Sequence, residues 1–212
     1  MKRLFVLGNG PSLLGQLPLL RRLDEEDTFA CNRFCRWSQM PFAPTYYACS
    51  ANAILKGVEP KAPPFKKERF LVSRMRAQLE QFEDWTKCYK KEHFPLCFQP
   101  ERTPEGYVKV KGGGTMVGIM VQLAFGMRYT NIYTLGVEQK GSGHVFDPDS
   151  KDGLKYFIPD PPVLFEFWNL IKVLAMHNHV QLTDCTPDGA FNPILGYQSL
   201  EDVLAGISLS KR

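Results

Sequence analysis

Several groups of residues in this chain have types and spacings suited to holding a phosphate or a nucleotide. The first is Gly8-Asn9-Gly10-Pro11-Ser12, which follows the apolar run from Lys2 to Leu7 and precedes an apolar-periodic stretch beginning at Leu13. Glycines let a ligand approach the main chain, and proline suits the first turn of a helix. Unpaired N–H groups at such a helix start favour an anion such as phosphate. The same residues also suit a plain strand-to-helix connection, and they lack both the third glycine of the dinucleotide fingerprint and the lysine of a P-loop. The second group is Asn9, Asn32 and Asn52, each of which follows a strand-like run. Ligands of parallel α/β sheets bind beyond the carboxyl ends of the strands, so the three asparagines can border one crevice; singly, each also suits a turn or a cap. The third group is Gly112-Gly113-Gly114-Thr115, a glycine-rich turn before an apolar helix. It offers backbone N–H groups and the Thr115 hydroxyl to a ligand, or a tight turn for close helix packing.

Gln139 to Pro162 has a different texture, with glycines, prolines and aspartates around His144 and Tyr156. A segment this long and polar reads as an active-site loop or lid. His144 stands between glycine-rich flanks, and a neutral imidazole titrates in the range useful to a general base. Glu138, Asp147 and Asp149 would suit magnesium beside a nucleotide's phosphates. The His177-x-His179 pair sits at a helix-to-strand junction with no cysteine or carboxylate nearby, which argues for a structural role and against zinc.

The elements that must position these residues alternate between strand and helix. Strands are predicted over Lys2–Leu7, Thr28–Cys31, Pro44–Cys49, Arg69–Ser73, Phe94–Phe98, Tyr107–Val110, Tyr129–Leu135 and His179–Thr183. Helices are predicted over Leu13–Leu23, Met75–Trp85, Met116–Phe125 and Val163–Met176, with a short helical stretch up to Lys56 and a final helix capped by Ser199 and Asp202. The Met116–Phe125 helix is so apolar that it must be buried against the sheet. The fold class is therefore α/β, a mostly parallel sheet flanked by helices, with a lid after the central strands.

The 212 residues are 44% hydrophobic and 23% charged, the composition of a soluble globular protein. One compact nucleotide-binding domain over 1–212 is expected, with the lid at 139–162 inside it. The sequence contains neither 18 consecutive apolar residues nor a signal-peptide pattern, so no transmembrane segment and a cytoplasmic location are expected. The six cysteines form no Cys-x-x-Cys pair and are expected to be reduced and mostly buried. A net charge of +4 is too small to argue for nucleic acid as a partner, although it suits anionic small molecules. The basic residues between Lys61 and Lys91 read as a solvated face. The composition admits a homo-oligomer without demanding one.

Taken in order, Gly8-Asn9-Gly10-Pro11-Ser12-Leu13, Cys31-Asn32, Asn52, the turn ending at Thr115, Gly136-Val137-Glu138 and Asp184-Cys185-Thr186-Pro187 resemble a known set. The chain is similar along nearly its whole length to the bacterial lipo-oligosaccharide sialyltransferases of glycosyltransferase family 42. It also resembles the related group of archaeal 6-hydroxymethylpterin diphosphokinases and motility-associated flagellin glycosylation factors. The sialyltransferase resemblance implies a modified Rossmann fold holding a CMP-activated sugar. It carries nucleotide contacts onto Gly8, Asn9, Gly10, Asn32, Asn52, Gly114 and Thr115, with Ser12 in the same first turn. The family's lid bears two tyrosines on the leaving phosphate and a histidine as general base. Here the chain departs from it: His144 stands at one tyrosine position, Lys140 lies near the other, and Asp160 occupies the place of the base histidine.

These departures alter the chemistry without forbidding it. A histidine or lysine stabilises a leaving phosphate through charge-assisted hydrogen bonds, roughly twice as strong as neutral ones. An aspartate with its ordinary pKa near ~3.9 is a weak base unless burial raises it, which leaves Asp160 and His144 as alternatives for the base. The resemblance thus implies a nucleotide-dependent transferase, a sialyltransferase-like glycosyltransferase that takes a nucleotide-sugar donor and a glycan hydroxyl acceptor and requires no cofactor or metal. The alternative enzyme is a diphosphokinase using ATP and magnesium. The altered lid also admits a nucleotide-binding module without catalysis.

Overall fold

The computed structural model describes residues 2–57, 64–112, 115–138 and 161–206. Its strands are β1 (Arg3–Leu7), β2 (Asp27–Cys31), β3 (Tyr46–Ser50), β4 (Glu68–Ser73), β5 (Thr86–Lys91), β6 (Val108–Lys111), β7 (Asn131–Leu135) and β8 (Gln181–Asp184). They form one sheet in the order β6-β5-β4-β3-β2-β1-β7-β8. Every pairing is parallel. A parallel sheet needs crossovers that cover both of its faces, which explains the near-continuous apolar runs of the central strands.

The alternation along β1 divides the core. Leu4 and Val6 join the cluster beneath helices α5 (Met116–Gly126) and α6 (Pro161–His177), with Phe29, Phe70, Trp168 and Phe191. Phe5 and Leu7 face the opposite cluster with Leu13, Phe34, Tyr47 and Leu135. The second face is covered by short helices: α1 (Ser12–Gly15), α2 (Leu17–Leu20), α3 (Ala51–Leu55), α4 (Arg76–Leu79) and α8 (Leu200–Leu204). A further short helix, α7 (Asn192–Leu195), follows β8.

Helix α5 is buried from Val117 to Phe125, as its composition demands. Gly118 lets α6 approach, because a Cβ there would collide with the Phe167 ring. The single polar side chain of the buried stretch is also satisfied. Gln122 accepts from the Lys111 N–H at 2.9 Å and donates to the Lys111 carbonyl at 3.2 Å, pairing the end of edge strand β6 much as another strand would. Ser199 caps α8 as expected, accepting from the Asp202 N–H at 3.1 Å.

Some predicted elements differ. The Leu13–Leu23 helix is broken into α1, α2 and a 3-10 turn over Arg21–Glu25, because Pro18 has no N–H to continue α1 and instead starts α2. The stretch from Met75 to Trp85 is helical only over Arg76–Leu79. The strand placed at Phe94–Phe98 lies instead at Thr86–Lys91, where three lysines disguise a pairing in which Cys88 is fully buried. All six cysteines are free thiols, and Cys31, Cys49, Cys88 and Cys185 are buried. Among the described residues, no helix is long and apolar enough to cross a membrane.

Candidate functional site

The strand order reverses at β1: the chain passes from β1 to β2 on one side and places β7 on the other. Such a switch point opens a crevice beyond the carboxyl ends of the strands. Two turns interlock there. The Gly8 N–H donates to the Leu135 carbonyl at 2.7 Å, and the Gly10 N–H donates to the Gly136 carbonyl at 2.9 Å. A Cβ on Gly8 would strike the Gly136 carbonyl, so glycine is required by the closeness of the two backbones.

The first turn is not the open phosphate cradle expected from its sequence. The N–H groups of Gly8 and Gly10 are used in these backbone bonds, and the Ser12 N–H donates to Glu138 Oε1 at 2.7 Å. The Glu138 carboxylate also fills the space beside Gly10 that a side chain would occupy. The negative charge that the helix start favours is therefore supplied by the chain itself. Glu138 Oε2 and the Ser12 hydroxyl remain buried without partners among the described residues.

Asn9, Asn32 and Asn52 follow the adjacent strands β1, β2 and β3, as the sequence implied. Asn9 Nδ2 donates to the Cys31 carbonyl at 3.3 Å, which ties the first turn to the end of β2 and leaves Asn9 Oδ1 buried and unpartnered. Asn32 has a φ of 49°, in the left-handed region that asparagine tolerates better than most residues. Its carbonyl accepts from the Tyr47 hydroxyl, while its Oδ1 is buried and unpartnered. Asn52 lies in α3 and is exposed. Thr115 stands at the N-cap position of α5, its hydroxyl buried and without a partner among the described residues. Orphaned buried polar atoms are rare in folded proteins and each calls for a partner such as water or a ligand. Here Asn9, Ser12, Asn32 and Thr115 each present one along the same edge of the sheet.

At the β7–β8 end stands a buried carboxyl group, that of Asp184, which entered the sequence reading only as part of the Asp184-Cys185-Thr186-Pro187 motif. Asp184 Oδ1 accepts from the Thr134 hydroxyl at 2.9 Å and from the Thr186 N–H at 3.0 Å. Its Oδ2 has no partner among the described residues and lies beside Gly189 with the likewise unpartnered Asn192 Oδ1. Burial, aided by the negative charge of Glu138, pushes Asp184 up to about 6 in spite of those hydrogen bonds. The β8–α7 loop is tied back to the crevice, since the Ala190 N–H donates to the Glu138 carbonyl at 3.3 Å. The available signal for Asp184 was its place at the end of a buried strand.

Lys140, His144, Asp147, Asp149, Asp160 and Gly114 lie outside the described residues. The lid chemistry read from the sequence rests on them. Among the described residues no group of His, Cys, Asp and Glu is arranged to hold a metal ion.

No protein-family model matches the sequence, and no curated protein sequence matches it. Solved structures do. The chain is similar to the sialyltransferase CstII from Campylobacter jejuni in complex with the substrate analogue cytidine-5'-monophosphate, with a TM-score of 0.54 at 16% identity over 94% of this chain and 86% of that one. It is similar to the sialyltransferase CST-II in complex with trisaccharide acceptor and CMP, with a TM-score of 0.58 at 15% identity over 92% of this chain and 86% of that one. It is also similar to the monofunctional alpha-2,3-sialyltransferase Cst-I from Campylobacter jejuni, with a TM-score of 0.53 at 14% identity over 100% of this chain and 83% of that one. The chain therefore has the Rossmann-like fold of these sialyltransferases.

Proposed function

We propose that the protein is a sialyltransferase-like glycosyltransferase, which binds a CMP-activated sugar in the crevice at the β1–β7 switch point and transfers the sugar to a glycan hydroxyl. The observation that carries this reading is the row of unpartnered buried polar atoms on Asn9, Ser12, Asn32 and Thr115, in a fold shared with enzymes solved in complex with CMP. A nucleotide offers donors and acceptors in number, and satisfying atoms that are already desolvated adds affinity without a further desolvation penalty.

In this scheme Gly8 and Gly10 let the first turn lie against Gly136 and Glu138 and so set the floor of the nucleotide site, and Asn9, Ser12, Asn32, Asn52, Gly114 and Thr115 hold the nucleotide. Lys140 and His144 stabilise the departing phosphate, and either Asp160 or His144 takes the proton from the acceptor hydroxyl. Positive side chains on the leaving group make a metal unnecessary. The Glu138 carboxylate at Ser12 acts as a placeholder in the free protein, ready to accept from a ligand hydroxyl when the site fills.

The reading is tested by incubating the protein with CMP-activated sialic acid, with and without a galactose-terminated acceptor, and following release of CMP. Release that is accelerated by acceptor and persists in chelator supports it. Consumption of ATP with an absolute need for magnesium would assign the protein to the diphosphokinase chemistry instead. Tight CMP binding with no donor consumption, not even slow hydrolysis, would reduce it to a binding module.

A further inference from the structure

Helix α6 is apolar on both of its sides. The inner side packs Leu164, Phe167, Trp168 and Ile171 into the core. The outer side carries Val163, Phe165, Leu170, Val173 and Met176, five of the nine large apolar side chains that the described residues leave exposed, while the other four lie singly elsewhere on the molecule. Single exposed apolar side chains are ordinary, whereas a helix that is apolar all round is one that packing covers on both sides. The outer side also has a definite order. Glu166, Leu170, Val173 and His177 stand at intervals of four, three and four residues, all four exposed, so they form one row along the helix. From end to end the row completes about three turns and spans about 16 Å. Among the described residues neither Glu166 nor His177 takes part in a hydrogen bond or an ion pair.

The row is complementary to itself. It begins with a carboxylate, ends with an imidazole and holds two aliphatic side chains between them. Laid antiparallel on a second copy about a two-fold axis between Leu170 and Val173, it sets Leu170 against Val173 of the second copy and Glu166 against His177 of the second copy, each contact occurring twice. An imidazole has an N–H to donate to that carboxylate whether it is neutral or charged. A parallel pairing would set carboxylate against carboxylate. Val163 extends the row by one turn and Met176 borders it, so the apolar area continues on both sides of the axis. A membrane surface suits this helix less well, because interfacial helices hold headgroups with Lys and Arg on their outer face. Here the outer side bears neither, and Lys172, at its edge, is turned inward onto the carbonyls of Leu182 and Leu195 at 3.0 and 3.1 Å.

We propose that the outer side of α6 is a homodimer interface, in which two copies pair antiparallel along Glu166, Leu170, Val173 and His177, with an apolar centre and a Glu166–His177 contact at each end. The interface is independent of the reaction assigned above. A pairing built on one helix from each copy is at the small end of specific interfaces, so association in the micromolar range is expected. Sedimentation velocity of the full chain across that range tests it, with circular dichroism and the melting temperature showing that each variant is folded. The parent protein should pass from monomer to dimer as concentration rises. Leu170→Glu and Val173→Glu, both at exposed positions, should each remain monomeric throughout. His177→Glu should weaken the dimer fivefold or more by setting carboxylate against carboxylate at both ends. Adding Glu166→Lys to that variant should restore the dimer, because the two new charges meet only across an antiparallel pair; within one helix they stay about 16 Å apart. A parent protein that is monomeric at every concentration overturns the interface, as does a dimer that survives both Leu170→Glu and Val173→Glu. A charge-exchanged double variant that stays as weak as His177→Glu alone overturns the antiparallel register.

Discussion

The Glu138 carboxylate occupies the space that a Cβ on Gly10 would fill, and it accepts from the Ser12 N–H at 2.7 Å. Gly10 is thus required by a side chain 128 positions away in sequence as well as by any ligand. Gly10→Ala should displace the carboxylate and destabilise the ligand-free protein by about 1–3 kcal/mol, the effect of leaving a buried polar group unpaired. Adding Glu138→Ala removes the clash, so the double variant should be more stable than Gly10→Ala alone. Urea unfolding of the three proteins checks this, and strictly additive losses would show that the two residues do not meet.

The asparagine at the end of β2 separates binding from folding. Its Oδ1 is buried without a partner, and its φ of 49° is open to glycine. Asn32→Gly should therefore leave the melting temperature of the free protein unchanged or slightly higher. It should weaken CMP binding by about 1–3 kcal/mol, roughly 5- to 150-fold. A large loss of stability with unchanged affinity would place Asn32 in the framework and outside the site.

Asp184 supplies a pH signature. Its folded-state pKa of about 6 lies above the unfolded value near ~3.9, so between these values the folded protein holds more protons and stability falls as pH rises. The change is about 1.4 kcal/mol per pH unit and about 3 kcal/mol in all, complete above pH ~6. Asp184→Asn removes the charge, keeps an oxygen for Thr134 and Thr186, and turns a donor toward the Asn192 oxygen. Its melting temperature relative to the parent should be near zero at pH ~4 and higher by about 5–10 °C at pH ~7.5. A difference that is constant across pH would mean that folding does not raise the Asp184 pKa.

His144 carries the most weight in the chemistry proposed for the lid. His144→Ala should slow CMP release from the sugar donor by about 10²–10⁴-fold, the usual range for removing a general acid or base. CMP affinity should stay within about twofold. Undiminished release would leave Asp160 as the base and remove His144 from the reaction.

The sequence made the sheet largely legible because its central strands are uniformly apolar and its main helices carry strong patterns; β1, β2, β7, α5 and α6 lie where periodicity puts them. Strand β5 was missed because an edge-proximal strand needs only one buried residue in two, and Lys87, Lys90 and Lys91 made it look like surface. The Leu13–Leu23 helix failed at Pro18, whose missing N–H outweighed the apolar spacing. In the site, the asparagines were readable because each follows its own strand. The partnership of Glu138 with Gly10 and Ser12 was not, since it joins β1 to β7 across an arrangement that only strand order reveals. Glu138 had suggested a metal ligand; in the folded chain its Oε1 serves the Ser12 N–H.

The central claim is that the orphaned polar atoms of Asn9, Ser12, Asn32 and Thr115 await a cytidine nucleotide. Isothermal titration of the protein with CMP, UMP, GMP and ATP, in parallel with Asn9→Ala and Asn32→Gly, tests it most directly. The account predicts saturable binding of CMP at least tenfold tighter than of the other nucleotides, with that preference lost in both variants. Equal, weak responses to all four nucleotides, or CMP binding untouched by either substitution, would contradict it.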